Sequence, residues 1–392
     1  MKAWRFAPMM FALALAGCGG SAAPSAPPVS SAAAAPASAA KPAAPASAAA
    51  SASAKPAASG AASAKPAASS GASGSPAPSV AGGVQVRIGQ IPSTAAAPFL
   101  VPVDEGAFAA RGINASIVPV TDTAQTMISI ASGQLEMGTV TMGAAALNAL
   151  SRGTDLTIIA SGGIDGPGHD AFAPVVVRSD LMDSGKVKTL SDLKGLKVAL
   201  NARGVILEYS LYKALTLGNL TMNDVDIVTM PWPDMIVALS NKNLDAGLIG
   251  EPLAAQAVSK GAGKILSDDY APNNQNATLM VNSNWYKSHK DAATTFLEVY
   301  VQAIRRLADG KIKQDDKALA SIEKWTKVPP DVIRSIPNPA WPKDGKLNVA
   351  SIEDQQKFFM TQTKELNYTT PLDFSKLIDY SALDQALKNL GG

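Results

Sequence analysis

The residues of this chain that can do chemistry are few, and most suit binding rather than bond breaking. Ser93 and Thr94 follow a strand pattern at Val84–Gly89. Thr139, Thr141 and Met142 lie between a short strand and a helix that starts near Gly143, and Ser161 and Gly162 follow the apolar run Leu156–Ala160. Hydroxyls at such junctions stand beside the unpaired N–H groups of a helix start and together offer donors to a small ligand. Ordinary turn chemistry accounts for Ser93 and Thr94 equally well. Arg203, at a later strand–helix junction, either grips a carboxylate or sulfonate bidentately or is a solvated surface residue. Trp232, between Pro231 and Pro233, either stacks on a ring or packs structurally. Glu251 either accepts from an amine or hydroxyl or caps the helix that Pro252 opens.

Nucleophilic and metal chemistry have little to draw on. The 392 residues include one Cys, Cys18, and two His, His169 and His289. That excludes a disulfide framework and a Cys-rich metal or iron–sulfur site, and nearly excludes a multi-histidine one. His169 with Asp170 would make half of a triad, but no Gly-x-Ser-x-Gly elbow occurs. The glycine-rich stretch before them is not a phosphate loop, because no Gly-Lys-Ser/Thr follows it. His289, beside Lys287, Lys290 and Asp291, reads as a solvated helix start. The expectation is a non-enzymatic protein without cofactor or metal. Charge narrows the partners as well. The first 83 residues hold five basic and no acidic residues, which leaves 29 basic against 32 acidic in the rest. A mildly acidic body with no basic cluster argues against nucleic acid.

The elements that carry these residues follow two leading segments. Lys2 and Arg5 precede the apolar run Phe6–Gly17. About a dozen residues fall short of the roughly 20 that span a bilayer, but suit the core of a secretory signal. The run ends in Leu15-Ala16-Gly17-Cys18, which looks like a bacterial lipobox. Residues 1–17 are then a lipoprotein signal peptide, and Cys18 becomes an acylated N-terminus anchored to a membrane rather than spanning it. The alternative is an ordinary signal with an incidental Cys. Residues 18–83 read as that Cys followed by a disordered tether. Gly19–Gly83 is built from 28 Ala, 15 Ser, 10 Pro, 7 Gly, 3 Lys and 2 Val, which leaves nothing to nucleate a core. Its full extension is roughly 200 Å, so its role is reach.

From Val84 onward the pattern alternates strand and helix in two series. The first runs from Val84–Gly89 to Leu156–Ala160, and the second from Leu196–Leu200 to the helix at Pro252–Lys260. Such alternation predicts an α/β fold of two lobes, each on a parallel-type sheet with helices on both faces. Ala173–Arg178 and Thr278–Asn282 read as two crossing strands, so 84–176 with 280–392 form the first lobe and 177–279 an inserted second lobe. Two crossings make a hinge. Ligands of open sheets bind beyond the carboxyl ends of the strands, which here would surround one cleft.

Six short stretches in this order resemble a known family. They are Ala97-Pro98-Phe99 leading to Asp104-Glu105-Gly106-Ala107-Phe108 and Arg111-Gly112-Ile113; Ser132-Gly133-Gln134-Leu135-Glu136-Met137-Gly138; Ser191 to Ala199; Asp234-Met235 with Ala238-Leu239; Leu244-Asp245-Ala246; and Glu251-Pro252. The chain resembles solute-binding proteins of ABC importers, in the nitrate/sulfonate/taurine group that includes thiamine-precursor-binding relatives. The resemblance implies a bilobal type II periplasmic-binding-protein fold. It also implies capture of a small solute by lobe closure and delivery to an ABC permease and its ATPase. The solute would be a sulfonate-, taurine- or nitrate-like anion, or a thiamine-precursor or aromatic compound. With the lipobox, it implies an exported monomer held at the cell envelope by its lipid. The sequence departs from the family at Asn201-Ala202-Arg203-Gly204-Val205, where Gly-Ser or Gly-Thr is frequent. It departs again at Gly250, where an aromatic often precedes Glu-Pro. Two other readings stand beside this one: an enzyme on the same fold, as in thiamine-pyrimidine or menaquinone synthesis, and a solute sensor not coupled to transport.

Overall fold

Period-2 and period-3.6 patterns resolve into ten strands and thirteen α-helices in the computed structural model, which describes residues 79–166, 168 and 171–391. Cys18, nearly all of the 18–83 segment and His169 lie outside the described residues. The strands are β1 Val84–Gln90, β2 Ile113–Pro119, β3 Met137–Thr141, β4 Leu156–Ile164, β5 Val175–Arg178, β6 Lys197–Leu200, β7 Asp226–Thr229, β8 Ala246–Leu248, β9 Gly263–Ser267 and β10 Gln275–Asn282. Between the strands run α1 Ala97–Asp104, α2 Thr123–Ala131, α3 Ala144–Ser151, α4 Ser179–Asp183, α5 Ile206–Leu217, α6 Trp232–Ser240 and α7 Leu253–Ser259. The chain ends in α8 Ser283–Ser288, α9 Lys290–Leu307, α10 Asp316–Thr326, α11 Pro330–Ser335, α12 Val349–Thr361 and α13 Ser381–Asn389.

Local chemistry sets most of these ends. Asp122 opens α2 by accepting from Gln125 N at 2.8 Å, a side-chain cap for an otherwise orphaned donor. The first helix stops earlier than its apolar pattern suggests. It closes at Asp104, and a separate 3₁₀ turn at Ala109–Arg111 ends on Gly112, whose φ of 78° few other residues adopt. The apolar face of α9 lies against α1, with the Phe99 and Tyr300 rings stacked at 4.6 Å and Phe108 on Phe296 at 4.7 Å. Each such pair adds about 0.5–1.5 kcal/mol beyond the area it buries.

The sheets are mixed where parallel ones were expected. Their orders are β2-β1-β3-β10-β4 and β7-β6-β8-β5-β9. β1 pairs parallel with β2 and β3, and β6 with β7 and β8. β10 runs antiparallel to β3 and β4, and β5 runs antiparallel to β8 and β9. Topology gives the reason. A chain that leaves the first sheet at the carboxyl end of β4 enters the second sheet at the same end, so β5 must run backwards there. The return from β9 reverses β10 in the same way. Each sheet therefore takes its one reversed strand from a crossing.

The crossings themselves are the segments 165–174 and 268–274, and one carboxylate ties them. Asp165, 3% exposed, accepts from Phe172 N (3.0 Å) and Asn276 Nδ2 (2.9 Å) through Oδ1, and from Asn274 Nδ2 (3.1 Å) through Oδ2. Backbone bonds join the same strands: Asp165 N donates to Asn274 O (2.9 Å), Asn273 N to Asp165 O (3.0 Å) and Ala171 N to Asp268 O (3.0 Å). Tyr270 adds a buried hydroxyl, donated to Ala173 O at 2.8 Å. Among the described residues, the side-chain partners of Asp165 are neutral amides. Burial pushes its carboxyl up from the ordinary range, and the bonds from Phe172, Asn276 and Asn274 pull it back.

A third connection comes from α12. Phe358 packs on Tyr212 (4.8 Å) and Tyr209 (5.7 Å) of α5, and Asp354 accepts from the Tyr209 hydroxyl at 2.6 Å. On its other side Gln355 Nε2 donates to Asn274 Oδ1 and Gln275 O, both at 2.9 Å. One apolar core, with Leu147, Leu207, Tyr209 and Phe358 among its members, thus runs from the first sheet to the second.

Replacing Asp165 with Ala orphans three donors, at about 1–3 kcal/mol each, partly offset by the removal of a buried charge. The expected net loss is about 2 kcal/mol or more in the unfolding free energy from urea titration, with Asp165→Asn losing less. A change below about 0.5 kcal/mol would show that the crossings are held by other groups.

Candidate functional site

The carboxyl ends of β1, β3 and β4 bring polar side chains together on the first lobe. Val86, Ile88 and Gln90 share one face of β1, and the first two are fully buried. Gln90 continues that buried face with an amide, 2% exposed. Its Oε1 accepts from Thr139 Oγ1 at 2.9 Å, and its Nε2 is buried without a partner. A Cβ on Gly162 would stand 3.1 Å from Thr139 Cγ2, so the glycine makes room for that threonine. Thr141 shares a hydroxyl bond with Thr123 at the start of α2 (2.9 Å). Ser93 and Thr94 are half-buried in the turn after β1, and the Ser93 side chain makes no capping bond.

Two other residues singled out in this lobe face inward. Met142 is fully buried, with Thr278 Oγ1 at 4.0 Å from its sulfur. Ser161 is fully buried too. Its hydroxyl accepts from Gln275 Nε2 (2.8 Å), and its carbonyl accepts from Tyr300 OH (2.7 Å). These hold β4 and β10 rather than present a free hydroxyl.

On the second lobe Arg203 is already engaged. Its guanidinium is paired with Glu208, a residue 1% exposed in the first turn of α5, and Glu208 also accepts from Gly204 N at 2.7 Å. The bidentate grip expected on an anion is thus taken by an internal carboxylate. Trp232 begins α6, and its ring meets Phe172 edge to face at 6.2 Å. A Cβ at Gly250 would stand 2.5 Å from Trp232 Cη2. The indole therefore fills the space an aromatic side chain at 250 would need, which accounts for the glycine. Trp232 Nε1 is buried without a partner. Glu251 N donates to Phe172 O (3.1 Å), and its carboxylate accepts from Ala255 N (3.1 Å) at the start of α7. Burial raises its carboxyl above the ordinary range, and the Ala255 amide opposes this.

The lobes meet backbone to backbone. Ala144 N, the first residue of α3, donates to Gly204 O at 2.8 Å across the junction. A Cβ on Gly143 would lie 2.5 Å from the same oxygen. The ends of β3 and β6 are brought together by this contact, with Thr141 on one side and Arg203 on the other.

Residues 81–322 match the sequence model of the NMT1-like family, well over half of the chain. The chain belongs to the NMT1-like family. Comparison with curated protein sequences gave no match. Among solved structures, the NMT1-like chain is similar to the periplasmic aliphatic sulphonate binding protein SsuA from Escherichia coli. The two are 20% identical with a TM-score of 0.62, over 77% of this chain and 99% of that one. The periplasmic nitrate-binding protein NrtA from Synechocystis PCC 6803 is 16% identical with a TM-score of 0.62, over 79% and 89%. The desulfurization enzyme DSZB is 16% identical with a TM-score of 0.52, over 78% and 99%. At such identities the likeness is one of fold: bilobal, α/β, of the type II periplasmic-binding-protein class.

Several residues behind the family resemblance are scaffold. Glu136 clamps Arg87, accepting from its backbone N (2.6 Å) and its Nη2 (2.6 Å), so the acid of that motif fastens β1. Asp104 accepts from Ser321, Lys324 and Trp325 of α10. Asp245 accepts from Lys197 N at 3.0 Å, fixing β8 to the start of β6. Sequence reading passed over Gln90, Phe172 and the Gly143–Gly204 contact. An amide ending an otherwise apolar strand face is the one signal that pointed to Gln90. Nothing in the sequence marks the other two.

Gly143→Ala should part the two strand-end junctions. The expected result is faster hydrogen exchange at the Ala144 amide and a larger radius of gyration, with the thermal midpoint little changed. Unaltered protection at Ala144 would show that the contact tolerates a Cβ.

Proposed function

We propose that this NMT1-like chain is a membrane-anchored extracytoplasmic receptor. It captures a small organic solute by lobe closure and hands it to the permease and ATPase of an ABC importer. The observation that carries this reading is the pair of strand-end junctions on the two lobes, joined by two tied crossings and meeting where Ala144 N donates to Gly204 O beside Gly143. Such a hinge closes when a solute contacts both lobes, because the solute then binds the closed state better than the open one. The solute-binding descriptions of SsuA and NrtA support the same reading for this fold. DSZB shows that the fold also hosts an enzyme, and two facts favour binding. The only Cys of the sequence is Cys18, in the proposed anchor. His289 lies away from the strand ends, between α8 and α9, stacked on Trp285 at 5.0 Å. The proposed contacts are Ser93, Thr94, Thr139, Thr141 and Gly162 on one lobe and Trp232 and Glu251 on the other.

A panel of sulfonates, nitrate, carboxamides, pyrimidines and aromatic acids, titrated calorimetrically and followed by small-angle scattering, tests the reading. At least one compound should bind and reduce the radius of gyration. No binding from any compound, and no solute co-purified in native mass spectrometry, would sink the receptor.

The anchor has its own test. The full chain should fractionate with membranes and carry an acylated N-terminus, and Cys18→Ala should release it in soluble form with its fold intact. Membrane retention of that variant would remove the lipid anchor from the proposal.

A further inference from the structure

The charge of the solute can be read from the strand-end junctions, on the premise that they form a receptor cleft. The junctions following the parallel strands carry Asp122, Asp165 and Glu251, and Asp234 stands in the first turn of α6. Among the described residues of those junctions the one cation is Arg203, and Glu208 neutralises it. The leading N–H of α3, a natural donor to an anion, is bonded to Gly204 O. An oxyanion entering here meets no unpaired cation among the described residues of these junctions.

Two buried side-chain donors at these strand ends stand out, and both are uncharged. Gln90 Nε2 on the first lobe and Trp232 Nε1 on the second are buried without partners. A buried N–H without an acceptor costs about 1–3 kcal/mol, so a ligand that supplies acceptors is favoured by that amount at each donor. A site built to fill such donors also rejects analogues lacking the acceptor. An ammonium group brings donors of its own and would leave both unpaired. Trp232 packs on apolar side chains, with the Phe172 ring edge-on to the indole.

We propose that the cleft takes an uncharged, acceptor-bearing solute with a flat apolar body, of the carboxamide or lactam kind, with Gln90 and Trp232 as its two donors. Charge-matched probes test this: benzamide, benzoate, benzenesulfonate and benzylammonium, titrated against the full-length protein beside the wider panel. Benzamide should bind at least about tenfold tighter than either anion or the amine. Trp232→Phe keeps a ring in place and removes one donor. It should weaken benzamide roughly fivefold. Unchanged benzamide affinity in the folded variant would overturn the role of the indole N–H. Tighter binding of an anion or of benzylammonium overturns the charge assignment. If none of the four binds, the charge of any panel compound that does bind, or of a co-purified solute, decides: neutral supports the proposal, and either sign overturns it. Failure of every compound together with no co-purified solute refutes the receptor reading instead.

Discussion

A two-lobed protein depends on how its crossings are held, and here that reduces to one buried carboxylate. Asp165 collects three donors from Phe172, Asn274 and Asn276, and its own backbone exchanges bonds with Asn273 and Asn274. Both crossings are thereby fixed to one point at the carboxyl ends of the sheets. That location forces the reversal of β5 and β10. Burial raises the carboxyl, and the bonds from Phe172, Asn276 and Asn274 offset part of that rise. A salt bridge would bind more strongly but would also set a preferred geometry for two long side chains, which a hinge does not need.

The second constraint is steric. At Gly143 and Gly250 the backbone conformation is open to any residue, and the reason for glycine is what lies beside it. Gly143 admits the carbonyl of Gly204 from the other lobe, and Gly250 admits the face of Trp232. One glycine thus lets the lobes touch, and the other sets the indole where its edge faces Phe172. Together with α12, which packs on α5 and bonds to the second crossing, these contacts give the two lobes a shared interior.

Polar residues in this protein divide by partner. Glu136, Asp104, Asp245 and Glu208 are each satisfied by a fixed neighbour, and each fastens one element to another. Gln90 and Trp232 each keep a buried donor unfilled. Buried donors are rarely left so, because desolvation without a bond is costly. The distinction between scaffold and site is therefore energetic, and residue type does not reveal it. Arg203 and Gln90 exchange the roles their chemistry suggests: the guanidinium is structural, and the amide is open.

The sequence alone determined the alternation of strand and helix in two series. These follow from local periodicity, which acts within a few residues of the chain. It also carried the family, through short stretches whose carboxylates prove to brace the scaffold. The tertiary structure decided which side chains are free to act. Whether Trp232 covers Gly250 and whether Gly143 faces Gly204 depend on groups far apart in the chain, and Arg203 finds Glu208 only once α5 has formed five residues on. Sheet direction was decided there as well, since β5 and β10 are reversed by where the chain crosses and not by any residue within them. A strand encodes its own pleat, but its neighbours and their direction are properties of the whole path.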